Sequence, residues 1–360
     1  MMIGEERILA KNLIQEIFRI SSKEINLMEF CGGHTVAILK QGIRQLLPGH
    51  VHLLSGPGCP VCVTATGDID NIIQLSGYRD VITATFGDLI RVPGSKSSLQ
   101  KSRAEGNDIR VVYSALEALD IARQNPGKRV VMVGIGFETT APTVAASVLQ
   151  AEREGIKNYL VHSLHKLTPP VMKALLDSGD VKLDGIICPG HVSTVIGARP
   201  YEFIPQNYGI ACAITGFEPL DILEGIHMLV RQIESGTPTV EIAYRRAVRP
   251  EGNLKALDLM NKVFTVGSAW WRGIGEVPGS GLKLREEYRA FDAATVFQLT
   301  PQDAAEPAGC LCGEILRAVK TPLDCPLFRK KCNPEQPVGP CMVSAEGACS
   351  AYYLYGESDG

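Results

Sequence analysis

The stretch HVHLLSGPGCPVC, residues 50–62, decides how this chain is read. Val51, Leu53 and Leu54 form a short apolar run, and the Gly56-Pro57-Gly58 turn after it delivers Cys59 and Cys62 in a C-x-x-C. A run of this length closed by a glycine turn is the pattern of a buried strand that stops at a sheet edge. EINLMEFCGGHT (24–35) and DVITATFGDLIRVPGS (80–95) repeat the form. With helical patterns between them, these runs predict parallel strands of an α/β sheet. Such sheets bind ligands at the carboxyl ends of their strands, so Cys31, Cys59 and Cys62 are all expected on that edge.

The middle third repeats the scheme in KRVVMVGIGFETTAPT (128–143), LDGIICPGHVSTVIG (183–197) and YGIACAITGFEPLDIL (208–223). The spacing from Pro57-Gly58 to Thr85-Phe86 nearly matches that from Pro189-Gly190 to Thr215-Gly216-Phe217, which suggests two similar α/β domains. At 360 residues the chain exceeds one ordinary core and divides into two or three domains of roughly 100–150 residues. The division read here is 1–125, 126–240 and 241–360. Ser114 and Glu117 form a capping box ahead of a helix that Asn125-Pro126-Gly127 stops. Pro219 opens another helix, with Ile222, Leu223, Ile226, Val230 and Ile233 on one face and a stop near Gly236. Beyond residue 241 the chain turns Arg-rich, then Gly-Pro-rich (RGIGEVPGSG, 272–281), then cysteine-rich, and strand signals are few.

Composition narrows the function. The formal net charge is −3 with both signs interspersed, so no basic stripe suited to nucleic acid is present. The N-terminal pattern of Ile8, Leu9, Leu13, Ile14, Ile17 and Phe18 behind Glu5, Glu6 and Arg7 reads as an amphipathic helix and not as a signal peptide. No apolar run approaches the roughly 20 residues of a membrane span, and a cytoplasmic protein is expected.

Eleven cysteines cannot all pair, and in a reducing compartment close spacing points to metal or redox chemistry. Six of them, Cys310, Cys312, Cys325, Cys332, Cys341 and Cys349, fall in the last 51 residues. Cys310, Cys325, Cys332 and Cys349 are spaced C-x14-C-x6-C-x16-C, with Cys312 and Cys341 as alternates. Four soft thiolates suit a 4Fe-4S cluster or zinc. The tail lacks the paired C-x2-C knuckles of a zinc ribbon, while Cys325-Pro326 is an iron-sulfur cue; a cluster, zinc and plain disulfides stay open on spacing alone. For Cys59 and Cys62, a thiolate where a strand turns into a helix is stabilised by the helix N–H groups, which favours redox or metal use over simple core filling. Cys31 sits before Gly32 and Gly33, which let a ligand approach the backbone, and the C-G-G-H context makes Cys31 and His34 candidate metal ligands. His191 in CPGHVST reads as structural.

FCGGHT, SGPGCPVCVT, TFGDLIRVPGS, GIGFETTAPT, CPGHVSTVIG, TGFEPLDIL, RGIGEVPGSGL and a tail running from CGEILRAVKTPLDCPLF to CMVSAEGACSAYY closely resemble the HypD family of nickel–iron hydrogenase maturation factors, in order from about residue 24 to 355. The resemblance implies two related α/β domains and a third bearing a 4Fe-4S cluster. It implies a part in building the Fe(CN)2CO unit, with a HypC-type small chaperone and a HypE-type cyanide donor as partners. Carried over by motif, Cys31 matches an iron-ligand cysteine and Cys59 and Cys62 a redox dithiol. Cys310, Cys325, Cys332 and Cys349 match the cluster ligands; Cys312 competes with Cys310, and Cys341 is the weakest candidate. A maturation scaffold with redox activity is expected more than a turnover enzyme. The competing classes are an iron-sulfur-linked protein disulfide reductase and a structural zinc platform.

Overall fold

The computed structural model describes residues 4–300 and 304–356; residues 1–3 of the first expected domain and 301–303 and 357–360 of the third lie outside the described residues. Nine strands build two parallel sheets, and two more form a separate hairpin. The chain lays down β1 (Ile25–Glu29) and β2 (Val51–Ser55), then β3 (Val81–Thr85), β4 (Ile109–Val111), β5 (Arg129–Gly134) and β6 (Tyr159–Ser163), then β7 (Gly185–Pro189), β8 (Ala211–Thr215) and β9 (Val240–Ile242). The first sheet has the order β2-β1-β7-β8-β9 and the second β4-β3-β5-β6. Every neighbouring pair in both sheets is parallel.

Two parallel-sheet α/β units and a cysteine-rich C-terminal region are therefore present, as expected, but the cuts at 125 and 240 are not where the sheets divide. The chain starts the first sheet, leaves it to build the whole second sheet with β3–β6, and returns to complete the first. The cut at 125 passes through both sheets. The physical reason is a pairing that strand signals do not encode: β1 takes β7 as its second neighbour, with Leu27 opposite Gly185. A Cβ at Gly185 would lie 2.7 Å from Leu27 Cδ2, so the absent side chain lets Leu27 fill the space. The apparent repeat of turns dissolves in the same way. Its first pair of turns follows strands of different sheets, whereas its second pair follows the adjacent strands β7 and β8.

The buried strands justify their apolar runs. β3, β7 and β8 are buried along their full length, which helices on both faces require. Helix Ala115–Gln124 starts at Ser114, whose hydroxyl accepts the Leu116 and Glu117 N–H groups, while the Glu117 carboxylate reaches back to the Tyr113 N–H. Helix Pro219–Ser235 stops at Gly236 in the left-handed conformation, φ 66°, and buries Ile222, Leu223, Ile226 and Val230. Helix Gly4–Ile20 packs on it with a narrower face than the sequence suggests: Ile17 is buried, but Ile8, Leu9 and Phe18 stay exposed.

The region after 241 holds the longest strands of the chain, β10 (Phe264–Trp271) and β11 (Gly275–Leu284), paired antiparallel. The sequence reading missed them because Gly275, Pro278, Gly279 and Gly281 look like loop residues. A two-stranded arm has only edges, which tolerate proline and glycine, and the register shifts between Gly267 and Ala269. Short helices Cys312–Leu316, Pro340–Val343 and Ala348–Tyr355 follow. The last of these packs on helix Gly32–Lys40, so the tail closes over the carboxyl edge of the first sheet.

Glu138, in the turn after β5, is buried and accepts both the N–H and the hydroxyl of Thr168 at the start of helix Thr168–Ser178. Burial pushes its carboxyl up to about 7 from the ordinary 4.5. The folded state thus binds this proton more tightly than the unfolded chain. The stability it contributes is complete below about pH 4.5 and is lost as pH rises through about 7. The stability difference between wild type and Glu138→Gln, measured by urea unfolding, is expected to shrink across that window and then level off.

Candidate dithiol and metal centre

The carboxyl edge of the first sheet gathers the motifs. Cys31 follows β1 and is the N-cap of helix Gly32–Lys40, with extended backbone. Its N–H donates to Glu29 Oε2 at 3.1 Å, and the Thr35 hydroxyl donates to Glu29 Oε1. Burial pushes the Glu29 carboxyl up to about 8. Burial, with the nearby Glu346 and Glu29 carboxylates, also pushes the Cys31 thiol up to about 12. A free Cys31 is accordingly a thiol at neutral pH, and a metal ion that takes it as a ligand must displace the proton.

His34 is fully buried, with Nε2 2.9 Å from the Gly216 carbonyl oxygen and 2.8 Å from the Thr215 hydroxyl. The carbonyl can only accept, so Nε2 carries the proton and Nδ1 keeps its lone pair. Nδ1 has no hydrogen-bond partner among the described residues. Burial lowers the imidazole to about 4, so it is neutral. Phe217, from the turn after β8, stacks on His34 with ring centroids 4.6 Å apart and on His191 at 3.9 Å. His191 thus has a packing role, while His34 has one nitrogen left to offer.

Cys59 and Cys62 are joined as a disulfide, with Cα atoms 5.2 Å apart. Cys59 is the N-cap of the four-residue helix Pro60–Val63, and its sulfur accepts the Cys62 N–H at 3.2 Å. This N–H stabilises a thiolate once the bond is reduced. The turn is locked to Cys31 by backbone contact. Gly32 N–H donates to Gly58 O at 3.0 Å, and a Cβ at Gly58 would lie 2.3 Å from Cys31 N. From the tail, the Glu346 backbone sits so close to Gly32 that a Cβ there would be 2.3 Å from its carbonyl oxygen.

All six tail cysteines line one small cavity, with Ile315, Leu327, Phe328 and Met342 completing its wall. Cys312 and Cys341 stand with their sulfurs 2.7 Å apart. Two thiolates so close cannot each serve a different iron of a four-iron cube. At most one of that pair could ligate such a cube, and Cys310, Cys325, Cys332 and Cys349 line the same cavity. Cys332 Sγ also accepts the Val338 N–H at 3.3 Å, a bond that suits a cluster ligand. Cys312 is the thiol held down, by hydrogen bonds from Cys310 and Cys341 and by the Arg272 charge, and both partners are correspondingly pushed up. Among the described residues no three His, Cys, Asp or Glu side chains converge as a single metal ion would require. The tail cysteines surround a space instead. Cys62 Sγ lies 3.7 Å from the Pro340 carbonyl oxygen, next to Cys341, so the disulfide abuts this group.

Every sequence-nominated cysteine is therefore in one continuous region. Reading by motif missed Glu29, Glu346, Phe217 and Arg272. A lone carboxylate in the apolar run INLMEF was a usable signal for Glu29. Arg272 opens the motif RGIGEVPGSGL and Glu346 lies in CMVSAEGACSAYY, but nothing local there ties either side chain to the cysteines until the fold brings it in.

This is an α/β protein of two parallel sheets that carries a disulfide at a strand edge and a thiol-lined cavity directly beside it. The family model HypD, described as the hydrogenase formation hypA family, matches residues 8–356, and the chain belongs to that family. It is 49% identical over 342 residues to the hydrogenase expression/formation protein HupD of Azotobacter chroococcum, covering 93% of this chain and 90% of the relative. It is 45% identical over 360 residues to the hydrogenase maturation factor HypD of Rhodobacter capsulatus, covering 97% and 96%. A putative hydrogenase expression/formation protein of Methanocaldococcus jannaschii is 44% identical over 352 residues, covering 97% and 98%. No described helix is long and apolar enough to cross a membrane.

The Gly58 contact makes a direct test of how the site is held. Gly58→Ala is expected to destabilise the protein by about 1–3 kcal/mol, as overpacking does, and to change the rate at which Cys31 is alkylated. Gly49→Ala, with nothing within 4 Å of the added carbon, is the control and should leave both the urea midpoint and the alkylation rate unchanged.

Proposed function

We propose that this hydrogenase maturation factor is the scaffold on which the Fe(CN)2CO unit is assembled, with Cys31 holding the iron and the Cys59–Cys62 pair supplying electrons. The observation that supports this reading is the backbone contact of Gly58 with Cys31, which brings the turn bearing Cys59 and Cys62 against the segment of the half-buried Cys31. The iron is cargo. A metal site with open positions suits a partner that brings further ligands, and a HypC-type chaperone is the expected source of a second thiolate. His34, three residues on, would add its unpartnered Nδ1 as a further ligand.

The electron balance fits the dithiol. A HypE-type donor carrying cyanide as a thiocyanate releases it when the S–C bond takes two electrons. Two thiols closing to the Cys59–Cys62 disulfide yield two electrons and two protons, leaving the donor's thiol, cyanide and one proton. The N–H of Cys62 favours the thiolate of Cys59 that begins this chemistry. Cys310, Cys325, Cys332 and Cys349 would hold a 4Fe-4S cluster, which when bound supplies single electrons beside the pair.

Infrared spectroscopy of the anaerobic chain co-expressed with a HypC-type chaperone tests the reading. Bands of metal-bound CO and cyanide are expected in wild type and absent in Cys31→Ala, which should keep the iron and sulfide of the tail. Persistence of the bands in Cys31→Ala would overturn the assignment. Cys59→Ser is expected to lose cyanide bands and to abolish hydrogenase maturation in cells; maturation at the wild-type rate would end the electron-supply role.

A further inference from the structure

Arg272 binds the far side of the dithiol turn through both its backbone and its side chain. Its backbone N–H donates to Val63 O at 2.9 Å, and its Nε donates to Cys62 O and Thr64 O, each at 3.1 Å. Nη1 donates to the Thr66 hydroxyl at 2.8 Å and to the Glu306 carboxylate. A four-residue helix such as Pro60–Val63 leaves its last carbonyls without internal partners. One side chain and one N–H here satisfy three in succession. Gly273 presses against the Gly313 backbone, so the same turn of chain also touches the residue after Cys312.

Capping alone does not need this residue. A neutral donor satisfies carbonyls, whereas burying a permanent cation is costly unless something nearby carries the opposite charge. The Arg272 side chain is 0% exposed and its Nη2 has no partner among the described residues. Its one carboxylate partner, Glu306, is 39% exposed. The Arg272 charge already holds down the nearby Cys312 thiol, and reducing the adjacent disulfide adds further negative charge: the S–S bond breaks, two electrons and one proton enter, and a thiol and a thiolate remain.

We propose that Arg272 is a positioning residue that fixes the dithiol turn and whose charge favours the reduced, thiolate-bearing form of the Cys59–Cys62 pair. The inference rests on the reading that this pair cycles between disulfide and dithiol.

The test equilibrates the full chain anaerobically with defined ratios of reduced to oxidised glutathione and measures the reduced fraction of Cys59 and Cys62 by alkylation and mass spectrometry. Two glutathione thiols supply the two electrons and become glutathione disulfide. Arg272→Gln is expected to lower the equilibrium constant for reduction about ten-fold, about 30 mV. Arg272→Lys keeps the charge without the fork and should fall less. Glu306→Gln removes the opposing charge without touching the three carbonyls and should raise the constant. Equal losses in Arg272→Gln and Arg272→Lys, with no change in Glu306→Gln, would reduce Arg272 to a cap and overturn the proposal. If Arg272→Gln fails to fold, Arg272→Lys and Glu306→Gln decide it. A wild-type pair that does not titrate reversibly with two electrons would instead defeat the redox reading beneath it.

Discussion

The centre depends on backbone meeting backbone at the carboxyl edge of the first sheet. Gly58 lies on Cys31 and Gly32 lies under Glu346, at separations where any side chain would collide. These contacts join three segments far apart in sequence: the turn after β1, the turn after β2 and the tail. Because main chain is stiffer than side chain, the thiol of Cys31, the disulfide and the tail are held in fixed relation. The geometry is set by what is missing, two Cβ atoms, and not by a strong bond.

Electrostatics follow from that packing. Bringing the segments together expels water, which keeps Cys31 and Glu29 protonated and His34 neutral. Charge that arrives in a site of this kind is felt strongly, because little water is left to screen it. Arg272 is the exception, a cation already in place beside the pair. Among the described residues its ion pair is with Glu306, near the outer surface.

The interleaved topology has a purpose in this arrangement. Inserting the second sheet between β2 and β7 lets the chain leave the first sheet just after the dithiol turn. Thr64, directly beyond that turn, bridges to Trp271 of the β10–β11 hairpin, and the next residue, Arg272, caps the dithiol helix. The hairpin also reaches the second unit, where Lys166 bridges to Gly281 and Leu167 N–H donates to Ser280 O. The arm thus ties the disulfide to both sheets.

The strands, their direction and the edge that gathers the cysteine turns were legible in the sequence, because a short apolar run closed by a glycine turn is a local property of 10 or so residues. The cysteines were legible too, since sulfur chemistry is written in residue type and spacing. Which strands share a sheet was not. β1 joins β7 through the fit of Leu27 against Gly185, a contact between residues 158 positions apart that no local pattern announces. The hairpin was hidden because an edge strand has no need of the apolar alternation by which strands are recognised. Arg272 and Glu346 acquire their roles only from folding, which is what decides that a cation and a carboxylate from the last quarter of the chain stand beside cysteines of the first.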